Sequence, residues 1–286
     1  MRIACCAVLL TLSMVAGGQS VPAAICTDPP ADAAHPASMT VLHIPSHGVE
    51  INGVLYAPPG AGKHPTLVIC HGLPGNEKNL DLAQAVRRAG WNAVTFNYRG
   101  SWGSPGSFRF AQNPEDAAAV IAYLRDPGNA ERLRVDTTRI AIAGHSMGGW
   151  VTVETAAHDH ALLGAVLISA ADMGGMSGMS SDRLAALMQD NMESLTGVTA
   201  KSMADEVVAN AATFRFASAV DRLVHTPLLV LSANDGLAAG TDALVAELRA
   251  KGNQRITAIH ADTDHSWSDK RIFLESTIIT WLGTLQ

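Results

Sequence analysis

Six short apolar runs set the architecture of this chain: TLVIC (66–70), NAVTFNY (92–98), RIAIAG (139–144), AVLIS (165–169), PLLVLSA (227–233) and ITAIHA (256–261). Each is about strand length, and most show no regular apolar/polar alternation, so the strands need cover on both faces. The segments between them follow a helical period. NLDLAQAVRRAG ends on Gly90 as a stop, and in NPEDAAAVIAYLR Asn113 is placed to cap, with Pro114 at the first helical position. DALVAELRAKG and KRIFLESTIITWL continue the alternation. Strand and helix in strict succession predict a parallel sheet with helices on both sides, an α/β fold. Ahead of it, TVLHI and EINGVLYAP, joined by PSHGV, read as two antiparallel strands that open the sheet near Met39.

With 286 residues, 48% hydrophobic and 16% charged, the chain suits one large domain. A net charge of -6 and a pI near 6.0, without long charged runs, argue against nucleic acid or an anionic membrane surface as partner and point to a small neutral substrate. The first residues, MRIACCAVLLTLSMVAGG, place Arg2 before an apolar run from Ile3 to Ala16 and then small residues, the layout of an export signal. The run is too short to span a membrane, which needs about 20 residues. Residues 1–23 are therefore expected to be a signal peptide, cut between Gly18 and Ala24, and the protein to be periplasmic or secreted. Residues 24–38, rich in Pro and Ala, read as a flexible lead-in, and 39–286 as the domain. Loss of Cys5 and Cys6 with the signal leaves Cys26 and Cys70, too few for a disulfide framework. Cys70, ending an apolar run, reads as a buried, inert thiol.

One interval breaks the rhythm. Residues 171–226 show no strand pattern and hold six of the ten methionines, which predicts a small helical cap inserted between two strands. Met188 and Met192 are candidates to line an adaptable apolar pocket, against the plainer reading that the cap methionines fill gaps between helices.

RIAIAGHSMGGW carries the chemistry. Gly144-His145-Ser146-Met147-Gly148 is a G-x-S-x-G pattern at a strand-to-helix junction, where glycines two residues to either side make room for a tight turn that exposes a serine hydroxyl. Such a hydroxyl is a poor nucleophile without a base and a carboxylate to orient it. Of the eleven histidines, His265 in ITAIHADTDHSWSD sits in the loop after the last strand and before the last helix, whereas His260 lies inside the strand run and is expected to pack there. Asp235, in the loop after PLLVLSA, is the candidate acid; Asp172, after AVLIS, competes with it. Asp262 and Asp264 read as solvated loop charges. For an oxyanion, CHGLPGN offers the Leu73 N–H, since Pro74 has none, and Met147 offers a second N–H; His71 reads as a brace of that loop. Neither His158 with His160 nor the Gly-rich MGGMSGM has the spacing of a metal or phosphate site, and no cofactor is expected.

CHGLPG, GHSMGG, SANDG and DTDHS, in that order within residues 39–286, resemble the α/β-hydrolase superfamily. With the loop FNYRGSWGSPGSF (96–108), the chain resembles the catalytic domains of prolyl oligopeptidases and acylaminoacyl-peptidases, and dienelactone-hydrolase-like esterases. The resemblance implies an eight-stranded, mostly parallel sheet and a triad of Ser146, Asp235 and His265. The reaction it implies is hydrolysis of a small carboxylic ester through an acyl-enzyme. Short peptides or amides on the same triad, or a catalytically idle binding protein on this fold, are the alternatives. Chain-length preference and oligomeric state have no signature in the sequence.

Overall fold

The computed structural model describes residues 21–285. The segment 1–23, expected to be a signal peptide, thus lies almost wholly outside the described residues. A single sheet of eight strands runs in the order β1-β2-β4-β3-β5-β6-β7-β8. The strands are β1 (Ser38–Ser46), β2 (Val49–Ala57), β3 (His64–Cys70), β4 (Asn92–Phe96), β5 (Val135–His145), β6 (Ala165–Ile168), β7 (Leu228–Ser232) and β8 (Ile256–His260). β1 and β2 pair antiparallel, as do β2 and β4, and every other neighbour is parallel. The helices are α1 (Ala23–Cys26), α2 (Leu80–Arg88), α3 (Asn113–Arg125), α4 (Pro127–Arg132), α5 (Met147–His158), α6 (Ser181–Gln189), α7 (Ala200–Ala209), α8 (Val220–Leu223), α9 (Ala238–Ala250) and α10 (Arg271–Leu282).

The apolar runs behave as their composition requires. β4, β6 and β7 are buried along their whole length, and β3 from Thr66 onward. One face of the sheet packs on α3, α5 and the cap through residues such as Phe110 and Trp150; the other packs on α2 and α10 through Trp267 and Leu274. Each fully buried Leu, Ile or Val contributes about 1.5–3 kcal/mol. β1 alternates buried and exposed residues, as a strand covered on one side must. Gly90, at φ +91°, follows α2 and its N–H bonds to the Arg87 carbonyl, the stop its position suggested. The loop after β4 is anchored by Arg99, whose Nε and backbone N–H both bond the buried carboxylate of Asp116 on α3, at 2.6 and 2.9 Å.

Three local expectations are corrected. Asn113 does not cap α3: it is the first helical residue, and its side chain turns inward, Nδ2 to Met147 Sδ at 3.4 Å. Within the lead-in, α1 forms and the Ala24 carbonyl accepts Arg88 Nε at 2.5 Å. β8 is an edge strand and remains half open rather than buried on both faces. His260, at its exposed end, does not pack in the core; its ring bonds Ser232 Oγ at 3.0 Å and Asn234 Oδ1 at 2.9 Å.

The interval 171–226 is helical. α6 and α7 pack against each other, and Ser101 bridges Leu195 to tie the cap to the loop after β4. Met173, Met188 and Met203 are fully buried in the core shared with the sheet, while Met176, Met179 and Met192 pack against its edge. No methionine lines the cleft that holds Ser146 and His265. Met173, Met188 and Met203 are packing residues.

Among the described residues no helix is long and apolar enough to cross a membrane. Cys70 is a buried free thiol, its pKa pushed up to about 12 by burial, and Cys26 is free and exposed.

Candidate active site

In a parallel sheet the loops after the strands gather at one edge, and reactive groups gather with them. β5 ends on His145, and α5 begins at Met147. Between them Ser146 takes φ +58° and ψ −122°, a conformation that costs a non-glycine residue on the order of 1–3 kcal/mol. Its neighbours explain how the turn closes. A Cβ on Gly144 would collide with the carbonyl of Gly148, and a Cβ on Gly148 with the carbonyls of Cys70 and His71. The Ser146 carbonyl is held by the N–H groups of Gly149 and Ala171, and its own N–H by Ile168.

Across the edge, His265 Nδ1 lies 2.8 Å from Asp235 Oδ2. The Asp235 side chain is 3% exposed and that of His265 39%, so the carboxylate is sheltered while the ring reaches solvent. Burial pushes the Asp235 carboxyl up, but hydrogen bonds from His265, from the Leu237 N–H at 2.9 Å and from the Ser169 hydroxyl together outweigh it. Its pKa falls below the ordinary value, and it is a carboxylate at neutral pH. Asp172 is turned away, accepting the Phe216 N–H at 3.1 Å where the cap returns to the sheet. Asp262 accepts from Asn234, and Asp264 from the Ser268 N–H, both in the exposed loop.

Ser146 and His265 line one cleft of about 160 Å³ together with His145, Ser266 and the loop Gly72–Glu77. No hydrogen bond joins Ser146 Oγ to His265, a looseness common in sites without substrate. Leu73 lines the same cleft. Among the described residues neither the Leu73 nor the Met147 backbone N–H has an acceptor, so both donors are free. His71 bonds the Gly72 carbonyl through Nδ1 at 2.7 Å and stacks against Tyr98, whose hydroxyl donates to the His71 carbonyl; it braces the loop. A larger cavity, about 580 Å³, lies elsewhere, along the start of α10. Its lining holds no serine–histidine–carboxylate grouping, so size does not mark the site here.

Three supporting residues escape a motif reading. His145 is buried, and burial followed by the nearby His265 ring lowers its pKa to about 4, so it is neutral. Its Nε2–H donates to the His265 carbonyl at 2.8 Å while its ring packs 4.6 Å from the His265 ring. Trp267, fully buried, donates Nε1–H to Ser169 Oγ at 3.0 Å, which orients the hydroxyl beside Asp235. Arg271 holds the Ser266 carbonyl at 3.2 Å and, at the start of α2, Asn79 and Asp81. The signal for His145 is its place inside G-x-S-x-G; for Arg271, which acts across 190 residues of sequence, there is none.

Residues 67–276 match the model of the alpha/beta hydrolase family. The chain belongs to that family. It is 36% identical over 108 residues to an uncharacterized 31.7 kDa protein of the traX-finO intergenic region of Escherichia coli, an alignment covering 36% of each chain. The chain thus spans about a third of the length of that relative. Among solved structures it superposes on the hyperthermophilic esterase of the archaeon Pyrobaculum calidifontis with a TM-score of 0.64 at 21% identity, covering 87% of this chain and 86% of that one. It also superposes on the Pyrococcus horikoshii acylaminoacyl peptidase with a TM-score of 0.67 at 16% identity, covering 87% and 41%. At these identities the likeness is one of fold. Among the described residues no cluster of three or more His, Cys, Asp or Glu is arranged to hold a metal ion.

Proposed function

We propose that this hydrolase cleaves small carboxylic esters through a covalent acyl-enzyme on Ser146. The observation that carries the reading is the 2.8 Å bond between His265 and the sheltered Asp235 carboxylate, across one cleft from a serine held in the strained elbow conformation. Ser146 Oγ attacks the ester carbonyl carbon as its proton passes to His265 Nε2. Asp235, bonded to Nδ1–H, fixes the tautomer that leaves Nε2 free and stabilises the imidazolium that forms. The Leu73 and Met147 N–H groups receive the carbonyl oxygen as it becomes an oxyanion. Collapse expels the alcohol, which takes the proton from His265. Water then repeats the sequence on the acyl-serine and releases the acid. The 160 Å³ cleft favours a short acyl group.

Fluorophosphonate labelling and turnover of p-nitrophenyl butyrate test this. Ser146→Ala abolishes labelling and lowers kcat by about three orders of magnitude or more with the fold intact. Undiminished turnover in the purified variant refutes the assignment, and faster cleavage of an aminoacyl anilide than of any ester replaces the ester reading with a peptidase one. We also propose export on the segment 1–23: N-terminal sequencing of protein recovered outside the cytoplasm shows a cut between Gly18 and Ala24, and retention of Met1 refutes it.

A further inference from the structure

A second cavity, of about 280 Å³, opens on the face of the sheet beside the start of α2. Val54, Tyr56, Ile69 and Phe96 give it an apolar wall, and Val41 and Leu80, 59% and 46% exposed, stand at its rim. Into this apolar setting projects Lys78. Its Nζ donates to Asn97 Oδ1 at 2.9 Å and sits 4.3 Å from the Trp102 ring centroid. Four other lysines, Lys63, Lys201, Lys251 and Lys270, meet a carboxylate within 4 Å, but among the described residues Lys78 meets none. Its neighbour Glu77 is turned the other way, lining the catalytic cleft and accepting the Asn79 N–H at 2.6 Å. His71, on the cavity wall, brings no charge, since burial lowers its pKa to about 4, and its Nε2 has no partner. An ammonium drawn partly out of water without a counterion is costly to hold. Partial burial accordingly lowers the Lys78 pKa, and a bound anion would reverse that shift.

We propose that this cavity is a binding site for a small aliphatic carboxylate, with its charge on Lys78 Nζ and its chain along Val54, Tyr56, Ile69 and Phe96. One ammonium against an apolar wall matches a singly charged head with a hydrocarbon tail better than a phosphate, which brings more charge than the site can neutralise. The site is separate from the catalytic cleft: the loop Gly72–Glu77 runs between them, with His71 and Lys78 at its two ends.

Calorimetric titration of the full chain with sodium hexanoate tests the proposal. Hexanoate binds, hexanamide binds at least about tenfold more weakly, and affinity rises up to about fourfold per methylene from butanoate to hexanoate. Lys78→Met lowers hexanoate affinity at least about tenfold, while Lys78→Arg stays within about threefold of the parent; circular dichroism verifies that both fold. His265→Ala binds hexanoate unchanged, which separates this cavity from the catalytic cleft and the test from the hydrolase reading. Equal affinity in Lys78→Met, or loss of binding in His265→Ala, overturns the proposal. So does a dimer that Lys78→Met dissociates while hexanoate fails to bind, which would assign the face to a second copy of the chain.

Discussion

Two glycine-rich stretches, GHSMGG at the elbow and MGGMSGM at the entry to the cap, look alike in composition and differ in what they constrain. At the elbow a Cβ on Gly148 would enter the backbone of Cys70 and His71 on the neighbouring strand end, so the glycine is a condition of β3, β5 and α5 closing around Ser146. The cap stretch is mixed: a Cβ on Gly174 would meet the Ala211 carbonyl at 2.3 Å, whereas Gly178 has nothing within 4 Å of the Cβ it lacks and no positive φ. Glycine content therefore says little; what tells is whether another backbone occupies the missing side chain's place. The methionines repeat the contrast. Met147 is held to a helix start by the elbow, with its N–H free, whereas the cap methionines are placed by whatever volume the helices leave.

The largest effect that tests this comparison comes from the glycines themselves. Gly148→Ala forces backbone movement at the strand ends and should destabilise by about 3 kcal/mol or more, with ester turnover lost. Gly178→Ala should stay within about 0.5 kcal/mol of the parent with full turnover. Urea unfolding of both, beside p-nitrophenyl butyrate assays, checks it. A Gly148→Ala protein of normal stability and activity would break the comparison.

Two aspartates sharpen it next. Asp235→Asn leaves His265 without its carboxylate and in the wrong tautomer, and kcat should fall by about 10²- to 10⁴-fold with little change in KM. Asp172→Asn loses a charged acceptor for the Phe216 N–H; its cost should be about 1 kcal/mol of stability and less than about fivefold in kcat. Both carboxylates follow strands that end at the same edge, so sequence order alone left the competition open. The reversed result would move the acid to the end of β6.

What could be read from sequence follows the same division. The parallel sheet was legible because full burial demands unbroken apolar runs, and the elbow because backbone crowding demands glycine at set positions. β8 was misjudged because an edge strand keeps its apolar residues while losing cover on one side. The lead-in turn at α1 depends on Arg88, 64 positions away, and no local pattern carries that. His145, Trp267 and Arg271 support the site through contacts that exist only after the loops meet, so a motif reading passes over them. The cap was legible as helical but not in its packing, because methionine fits many surroundings. Met188→Ala tests the packing: with the side chain 2% exposed in the core, it should cost about 2–4 kcal/mol, and the ratio of butyrate to acetate ester turnover should hold within about twofold. A normal stability with a changed ratio would return Met188 to the pocket wall.

The smallest expected effect separates the two regions by pH. Under the His265 loop, Glu275 on α10 is buried against Asp81; burial, then the Asp81 charge and a hydrogen bond to it, raise its pKa from 4.5 to about 7, against the opposing pull of Arg271 and Arg88. The folded chain therefore keeps a proton that the unfolded chain releases above pH 4.5. Stability should fall as pH rises from about 4.5 to about 7 and level off beyond, because there the folded state binds more protons than the unfolded one. Glu275→Gln keeps a donor and removes the charge, so it should gain up to about 2 kcal/mol over the parent at pH 8 and nothing at pH 4. The cap's exposed carboxylate behaves oppositely: the Lys201 hydrogen bond lowers the Asp205 pKa below 3.8, so any contribution is lost only as the pH drops below about 4. Asp205→Asn should leave the curve between pH 4.5 and 8 unchanged. Urea unfolding of the parent and both variants across that range reads the difference directly, and a parent curve that is flat from pH 4.5 to 7 would mean that Glu275 is ionised beside Asp81, with Arg271 compensating both carboxylates at once.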